Sequence, residues 1–272
     1  MVSGNSLGKG FPDGELIIAS RNCGKRQMKD IIDIHTHITP GVDDGAEDME
    51  MSLEMLRIEA KQGCKKVLLT PHSGAFGWCG PENVNHTYEQ MKRVQKEAAR
   101  EGIPVQVFTG CEIYTTRRNI EEILQDLNSG RLPSMNHTRY ILAEFSTSRG
   151  TMDDAKYCLT RYLESGWIPI IAHAERYCRT FTTVENIRTL KKMGCLVQAN
   201  YYDLDEEHDE EIRTCTQSLV EAELVDMMGS DAHRIGHRPP KLMRGVGYIR
   251  ENCREEYAED ILWRNAERCL KL

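Results

Sequence analysis

The chain has 272 residues, of which 40% are hydrophobic and 28% are charged, and its formal net charge is −7. A chain with this negative charge has no overall basic field that would attract a nucleic-acid backbone or an anionic membrane surface. No apolar run approaches the roughly 20 residues of a membrane-spanning helix, and the apolar run 16–19 is too short for a secretory signal. We therefore expect a cytoplasmic protein that neither binds nucleic acid nor inserts into membranes.

The first 27 residues differ from the rest of the chain. They contain five glycines and no periodic apolar pattern, which predicts a flexible N-terminal extension. Met28 is an alternative start of translation, and the sequence leaves both starts open. Residues 28–272 show no shift in composition that would divide them. Their length suits a single α/β barrel domain, a fold that takes about 250 residues.

Helices, glycines and short apolar strands alternate along the chain. The first predicted helix begins at Glu47 and Asp48 and ends at Gly63, and a second is predicted over Arg118–Ser129. Seven strands are predicted: Asp30–Ile34, Val67–Thr70, Val105–Gly110, Tyr140–Ala143, Ile168–Ala172, Cys195–Ala199 and Val225–Ser230. Short apolar strands with helices between them are typical of a parallel sheet covered on its outer face. We therefore predict a barrel-like α/β fold.

Residues that commonly bind metals follow six of the seven predicted strands. These residues are His35, His37, His72, Glu112, Glu144, His173, Asp231 and His233, and Asp44 lies in the loop after the first strand. One histidine in such a place is ordinarily a packed core residue, and Asp44 also belongs to an Asp-Gly turn dipeptide. A barrel of parallel strands, however, gathers all its strand C-termini at one mouth. The repeated placement therefore predicts one shared site.

The types of these residues indicate the kind of site. Imidazoles and carboxylates without thiolates suit Mn²⁺, Fe²⁺ or Zn²⁺, and nine ligands are too many for one ion. A cluster of two or three ions lowers the pKa of bound water and binds oxyanions, which points to hydrolysis of a phosphate ester. Arg176 and Arg238 follow ligand-bearing strands, where a guanidinium group can bind phosphoryl oxygens.

The ten cysteines offer a different chemistry. No C-x-x-C pair occurs, so they are interpreted as small buried hydrophobic residues. Cys111 to Arg117 has the C-x5-R spacing of the cysteine-dependent tyrosine phosphatases. That loop wraps a phosphate with backbone N–H groups and normally needs glycine, which is absent here, and Glu112 places a carboxylate beside the sulfur. The spacing is interpreted as a chance match.

An ordered set of motifs resembles a known superfamily. The motifs are Asp33-Ile-His35-Thr-His37, Val42-Asp-Asp-Gly45, Thr70-Pro-His72, Gly110-Cys-Glu112, Ala143-Glu144-Phe145, Ala172-His173-Ala-Glu-Arg176 and Ser230-Asp231-Ala-His233 with Arg238-Pro-Pro. Together they are similar to the polymerase-and-histidinol-phosphatase (PHP) superfamily. Within it they resemble the manganese-dependent protein-tyrosine phosphatases of bacterial capsule and exopolysaccharide operons. The match runs from about Ile31 to the C-terminus.

This resemblance implies a distorted seven-stranded barrel with up to three Mn²⁺ ions. His35, His37, Glu112 and Asp231 would bind the first ion, Glu112, Glu144 and His173 the second, and Asp44, His72 and His233 the third. Arg176 and Arg238 would bind the phosphate. Asp44 and Glu144 favour the tyrosine phosphatase branch, because histidinol phosphatases tend to carry histidine there. The implied substrate is a phosphotyrosine protein, namely the tail of a bacterial tyrosine kinase.

The implied mechanism is direct hydrolysis by a hydroxide that bridges two ions, without a covalent intermediate. One alternative is another PHP phosphoesterase, such as a histidinol-phosphate phosphatase. The other is a metal-binding module that has lost catalysis, although no ligand is missing here. Phe76 and Trp78 lie in a loop that could flank a phosphotyrosine ring, or they could form a local hydrophobic cluster.

Overall fold

The computed structural model describes residues 31–73, 83–205 and 209–272. The predicted extension, residues 1–27, and the loop with Phe76 and Trp78 lie outside these residues. The described part contains nine strands: β1 Ile31–Thr36, β2 Cys64–Leu69, β3 His72–Ser73, β4 Gln106–Thr109, β5 Glu112–Tyr114, β6 Tyr140–Glu144, β7 Ile168–Ile171, β8 Leu196–Asn200 and β9 Met227–Gly229. All the strand pairs are parallel, as predicted.

The strands form two sheets, and the chain passes directly from one sheet to the other. One sheet has the order β1-β2-β4, and the other has the order β3-β5-β6-β7-β8-β9. Two residues separate β2 from β3, and two separate β4 from β5, so the chain passes between the sheets at both places. Thr36 also forms a parallel bridge with Ala232, just after β9. The strands therefore curl as in a half-barrel, which confirms the α/β class, whereas the predicted count of seven strands is not confirmed.

Helices connect the strands. Their bounds are α1 Met49–Lys61, α2 Val84–Arg100, α3 Ile120–Asn128, α4 Met152–Glu164, α5 Val184–Met193, α6 Glu210–Glu221, α7 Met243–Asn252, α8 Glu255–Glu259 and α9 Asn265–Leu270. Asp48 caps α1 by accepting a hydrogen bond from the Met51 amide at 2.9 Å, and Thr151 and Thr183 cap α4 and α5 in the same way. No helix in the described ranges is long and apolar enough to span a membrane.

The buried side chains form two clusters because successive residues of a strand face opposite sides. Ile32, Ile34 and Leu68 from the first sheet pack with Leu142 and Ile170 from the second. The two sheets therefore face each other across a shared interior. The larger cluster lies between the strands and the surrounding helices.

A buried pair of carboxyl groups lies beneath α1. Asp33 and Glu59 are both fully buried, and Asp33 accepts hydrogen bonds from the amides of His35 at 3.1 Å and Ser230 at 2.9 Å. Burial raises the pKa of Glu59 well above its usual value, and the charge of Asp33 adds to this effect. Glu59 is therefore protonated in the folded protein over a range of pH in which it ionises in the unfolded chain.

The raised pKa of Glu59 predicts a pH-dependent stability. The contribution of this group is complete below the unfolded pKa of about 4.3 and is lost as the pH rises towards the folded value. Glu59→Gln keeps a donor towards Asp33 without taking up a proton. Its free energy of unfolding should therefore rise relative to that of the natural protein, by up to about 1.4 kcal/mol per pH unit between pH 5 and 7.

Urea unfolding over this range of pH measures the difference. Glu50→Gln, at an exposed position of the same helix, is the control and should leave the pH dependence unchanged. If the stability of Glu59→Gln followed that of the natural protein in parallel at every pH, the interpretation that Glu59 is protonated in the folded protein would be wrong.

Candidate metal centre

The structure brings the nine predicted ligands together, at or just after the C-terminal ends of β1, β6, β7 and β9 and, for His72 and Glu112, at the starts of the short strands β3 and β5. In three groups the donor atoms all lie within 4.8 Å of one another: His35, His37, Glu112 and Asp231; His37, Asp44, His72 and His233; and His72, Glu112 and Glu144. The first group has the membership that the family resemblance implies. His37 joins the group of Asp44, His72 and His233.

The group around Glu144 differs from the implied one. His72, rather than His173, groups with Glu112 and Glu144. The Nε2 atom of His173 nevertheless lies 2.8 Å from Oε1 of Glu112 and 4.0 Å from Oε1 of Glu144. All nine residues therefore belong to one connected cluster.

Glu112 lies at the centre of this cluster. Its Oε2 atom is 3.2 Å from Nε2 of His35, 3.2 Å from Nε2 of His37 and 3.0 Å from Nδ1 of His72. This oxygen is buried and accepts no hydrogen bond of good geometry within the described residues. Three ring nitrogens thus face one buried carboxylate oxygen. A divalent cation between these atoms would be coordinated by all of them. The donor set thus fits Mn²⁺, Fe²⁺ or Zn²⁺.

The charges of the cluster are strongly coupled. Burial raises the pKa of Glu144 to about 9, and the negative charges of Glu112 and Asp231 contribute. Burial also opposes ionisation of Glu112, but His35 and His72 outweigh it and hold the pKa of Glu112 well below its usual value. Carboxylates this close repel one another unless positive charge lies between them. A bound cation would supply that charge.

Three histidines have their ring orientation fixed by a second group. Nδ1 of His37 lies 2.7 Å from Oδ2 of Asp43, and Nδ1 of His35 lies 3.1 Å from Oε1 of Gln198. Nδ1 of His233 lies 2.9 Å from the carbonyl of Asp231. Each contact leaves Nε2 directed into the cluster, which is the arrangement expected of metal-ligating histidines.

The sequence indicates Asp43 only as part of the motif that contains Asp44, and it predicts no role for Gln198. Asp43 orients His37 and also shapes the turn, because its Oδ1 accepts a hydrogen bond from the Gly45 amide at 2.9 Å. A Cβ at Gly45 would lie 1.9 Å from the carbonyl of His37, so the turn needs glycine. Gln198 carried a weak signal, as an amide side chain inside an otherwise apolar strand.

The two predicted arginines border the cluster at Asp231. Nη1 of Arg176 lies 2.8 Å from Oδ2 of Asp231, and Nε of Arg176 lies 3.2 Å from Oδ2 of Asp203. Arg238 pairs with the same Asp231 oxygen, and its Nη1 lies 3.3 Å from Nε2 of His233. Both side chains are partly exposed, at 20% for Arg176 and 29% for Arg238. They can therefore reach a ligand that enters from solvent.

The C-x5-R spacing does not form a site. Cys111 is buried in the larger hydrophobic cluster. Arg117 instead pairs with Asp154 on the surface and lies over the ring of Tyr157, with 4.7 Å between its Cζ atom and the ring centroid. This geometry agrees with the interpretation of a chance match.

Residues 31–271 match the family model for capsular polysaccharide synthesis, CpsB/CapC. The chain belongs to this family. It is 33% identical to the tyrosine-protein phosphatase YwqE of Bacillus subtilis over 217 residues, which covers 76% of this chain and 79% of YwqE. It is 28% identical to the tyrosine-protein phosphatase CpsB of Streptococcus agalactiae over 246 residues, which covers 89% of this chain and 98% of CpsB.

Solved structures agree with the family. One from a study of YwqE of Bacillus subtilis and CpsB of Streptococcus pneumoniae, described as unique metal-dependent tyrosine phosphatases, matches with a TM-score of 0.77. Its sequence identity is 31%, and the match covers 89% of this chain and 94% of the other. A phosphotriesterase homology protein of Escherichia coli, with a TM-score of 0.56 and 13% identity, shares the fold alone.

The contact between Asp43 and His37 generates a prediction for this CpsB/CapC protein. Asp43→Asn replaces a charged acceptor of the His37 ring with an amide, which should weaken metal binding by roughly 10–100-fold, as other losses of such outer partners do. Competition with a chelator, followed by elemental analysis, measures this affinity. Asp153→Asn, at an exposed position of α4, is the matched control. Equal metal affinity in both variants would mean that Asp43 only shapes the turn.

Proposed function

We propose that this chain is a metal-dependent protein-tyrosine phosphatase. The observation that carries the proposal is the position of Glu112, whose buried oxygen faces three imidazoles beside two partly exposed guanidinium groups. Cation ligands and anion-binding groups at one strand-end mouth suit a phosphate ester. The names of YwqE and CpsB, which are tyrosine-protein phosphatases, support the choice of phosphotyrosine.

The same proposal includes the number and type of the bound ions, the number of strands and the bounds of the domain. The nine clustered residues are proposed to bind up to three ions, with Mn²⁺ preferred over Fe²⁺ or Zn²⁺. We count β2 with β3, and β4 with β5, as two interrupted strands, which gives the seven strands of a distorted barrel. Residues 28–272 are proposed to be one domain, and residues 1–27 an extension of it.

The chemistry divides between ions and protein. Ions held by these residues would acidify a water molecule and neutralise charge on the phosphate. Arg176 and Arg238 bind the phosphoryl oxygens as their negative charge develops, with Asp203 and Asp231 fixing the position of the Arg176 guanidinium. Tyrosine leaves as a phenolate with a pKa of about 10, so little help from a general acid is needed. Cys111 takes no part because it lies in the hydrophobic core.

The proposed substrate is phosphotyrosine in the tail of a bacterial tyrosine kinase, and the proposed location is the cytoplasm. The family description, capsular polysaccharide synthesis, supports this setting. The eight cysteines within the described residues are all free, as expected in a reducing compartment. Histidinol phosphate is the competing substrate within the superfamily.

A substrate panel with two adjacent substitutions tests the function. The protein loaded with Mn²⁺ should hydrolyse a phosphotyrosine peptide far faster than histidinol phosphate, and a chelator should abolish this activity. Cys111→Ser should keep most of the activity, because the thiol is not a nucleophile here. Glu112→Gln should lose activity and, by elemental analysis, at least one ion, because it removes the central negative charge. The reverse order of the two variants would defeat the metal-centre proposal, and faster turnover of histidinol phosphate would favour the alternative.

Arg238 is predicted to act on the phosphate rather than on the metals. Arg238→Ala should lower kcat by roughly 10²-fold, as the loss of other preorganised charge stabilisers does, while the metal content stays constant. Arg188→Ala, at an exposed position of α5, is the control and should not change kcat. Steady-state kinetics and elemental analysis on the same samples check both statements. An unchanged kcat in Arg238→Ala would show that this side chain merely packs its loop.

A further inference from the structure

A groove opens next to the metal centre, between the end of β5 and the start of α4. It encloses about 540 Å³. Its lining includes Tyr114, Arg117, Arg118, Phe145, Arg149 and Asp154. None of these residues belongs to the metal cluster or to the proposed phosphate contacts. The groove therefore needs a separate explanation.

The groove is continuous with the strands that carry the proposed ligands. Tyr114 is the register partner of Glu144 in the pairing of β5 with β6, and Phe145 directly follows Glu144. The Thr115 amide also donates to the Glu144 carbonyl at 2.8 Å. An extended peptide advances about 3.3 Å per residue. A peptide with its phosphotyrosine at the metals would thus place residues two to four positions away in this groove.

The groove carries uncompensated positive charge. Its lining contains three arginines and one aspartate, and Arg117 pairs with that aspartate, Asp154. Arg118 and Arg149 are exposed, and neither has an ion pair among the residues that the structure describes. A single exposed arginine is ordinarily just solvated. Two that converge on one groove beside the centre, in a chain of net charge −7, indicate a site for a negative group.

We propose that this groove binds an anionic side chain of the substrate, close in sequence to the phosphotyrosine. The group is a carboxylate or a second phosphate, since guanidinium groups bind both. This inference rests on the proposed function and specifies its substrate class as acidic or multiply phosphorylated peptides. Arg118 and Arg149 bind the flanking anion and do not touch the reacting phosphate.

Three phosphotyrosine peptides that differ only in their flanking residues test this inference. The residues two to four positions away on both sides are alanine in the first, aspartate in the second, and alanine with phosphoserine in the third. The charged peptides should show a KM about tenfold below that of the alanine peptide, on the scale of two partly exposed ion pairs. The kcat should be unchanged, because a remote contact forms equally in the ground state and the transition state.

The variant Arg118→Ala/Arg149→Ala should abolish this difference in KM. Its turnover of the alanine peptide and of p-nitrophenyl phosphate should be unchanged, which also shows that it folds. Arg188→Ala/Lys192→Ala removes the same charge from the outside of α5 and should keep the preference. Raising the salt from 0.05 to 0.5 M should shrink the preference in the natural protein, because the groove is exposed. A lower KM for only one charged peptide identifies the carboxylate or the phosphate as the bound group.

The outcomes separate this inference from the proposed function. If no phosphotyrosine peptide is hydrolysed, the proposed function fails. If all three peptides react alike, or if both double variants lose the preference equally, only the groove assignment is overturned. Binding to anionic phospholipid vesicles that requires Arg118 and Arg149, without any peptide preference, would also overturn it.

Discussion

The clustering of buried carboxylates and imidazoles around Glu112 is the constraint on which the rest of this structure depends. Burial raises the pKa of Glu144, and Glu112 and Asp231 are close enough for their negative charges to raise it further. In water such groups would separate, but each is attached to a different strand end. The fold therefore enforces a repulsion that bound cations would relieve. Cation binding would account for the polar groups that are gathered at one end of the half-barrel.

Cations alone would not orient these ligands. Oε1 of Gln198 lies 3.1 Å from Nδ1 of His35 and accepts a hydrogen bond from the His173 amide at 2.7 Å. This one oxygen therefore links β1 to the residue that follows β7. The amide nitrogen of Gln198 donates to Asn200 at 2.8 Å, and Asn200 in turn donates to Asp203 at 3.2 Å. Asp203 contacts Arg176. One hydrogen-bonded path thus joins a proposed metal ligand to a proposed phosphate ligand, so their relative positions are fixed together.

Much of this could be predicted from the sequence, and the limits have physical causes. The convergence of the proposed ligands could be predicted because side chains at parallel strand ends come together whatever their distance along the chain. The predicted strand count is not confirmed, because the short strands β3 and β5 begin two residues after the predicted runs Val67–Thr70 and Val105–Gly110, at polar residues that a search for apolar runs does not include. The sequence could not assign each ligand to one group of neighbouring donor atoms. His72 offers two ring nitrogens and contacts Glu112 on one side and Asp44 on the other, which no sequence pattern reveals.

Three residues of the candidate site have backbone conformations that residues other than glycine rarely adopt. His173 at φ +30°, Asp231 at +53° and Arg238 at +57° all lie in the left-handed region, which costs a residue other than glycine about 1–3 kcal/mol. Hydrogen bonds oppose this cost at each position: the His173 amide donates to Gln198, the Asp231 amide donates to His35, and the Arg238 carbonyl accepts from His233. Glycine would relieve the strain but would bind neither cation nor phosphate. At the candidate site, the strained residues are those whose side chains are proposed to bind the cations and the phosphate, and the surrounding hydrogen bonds keep them in place.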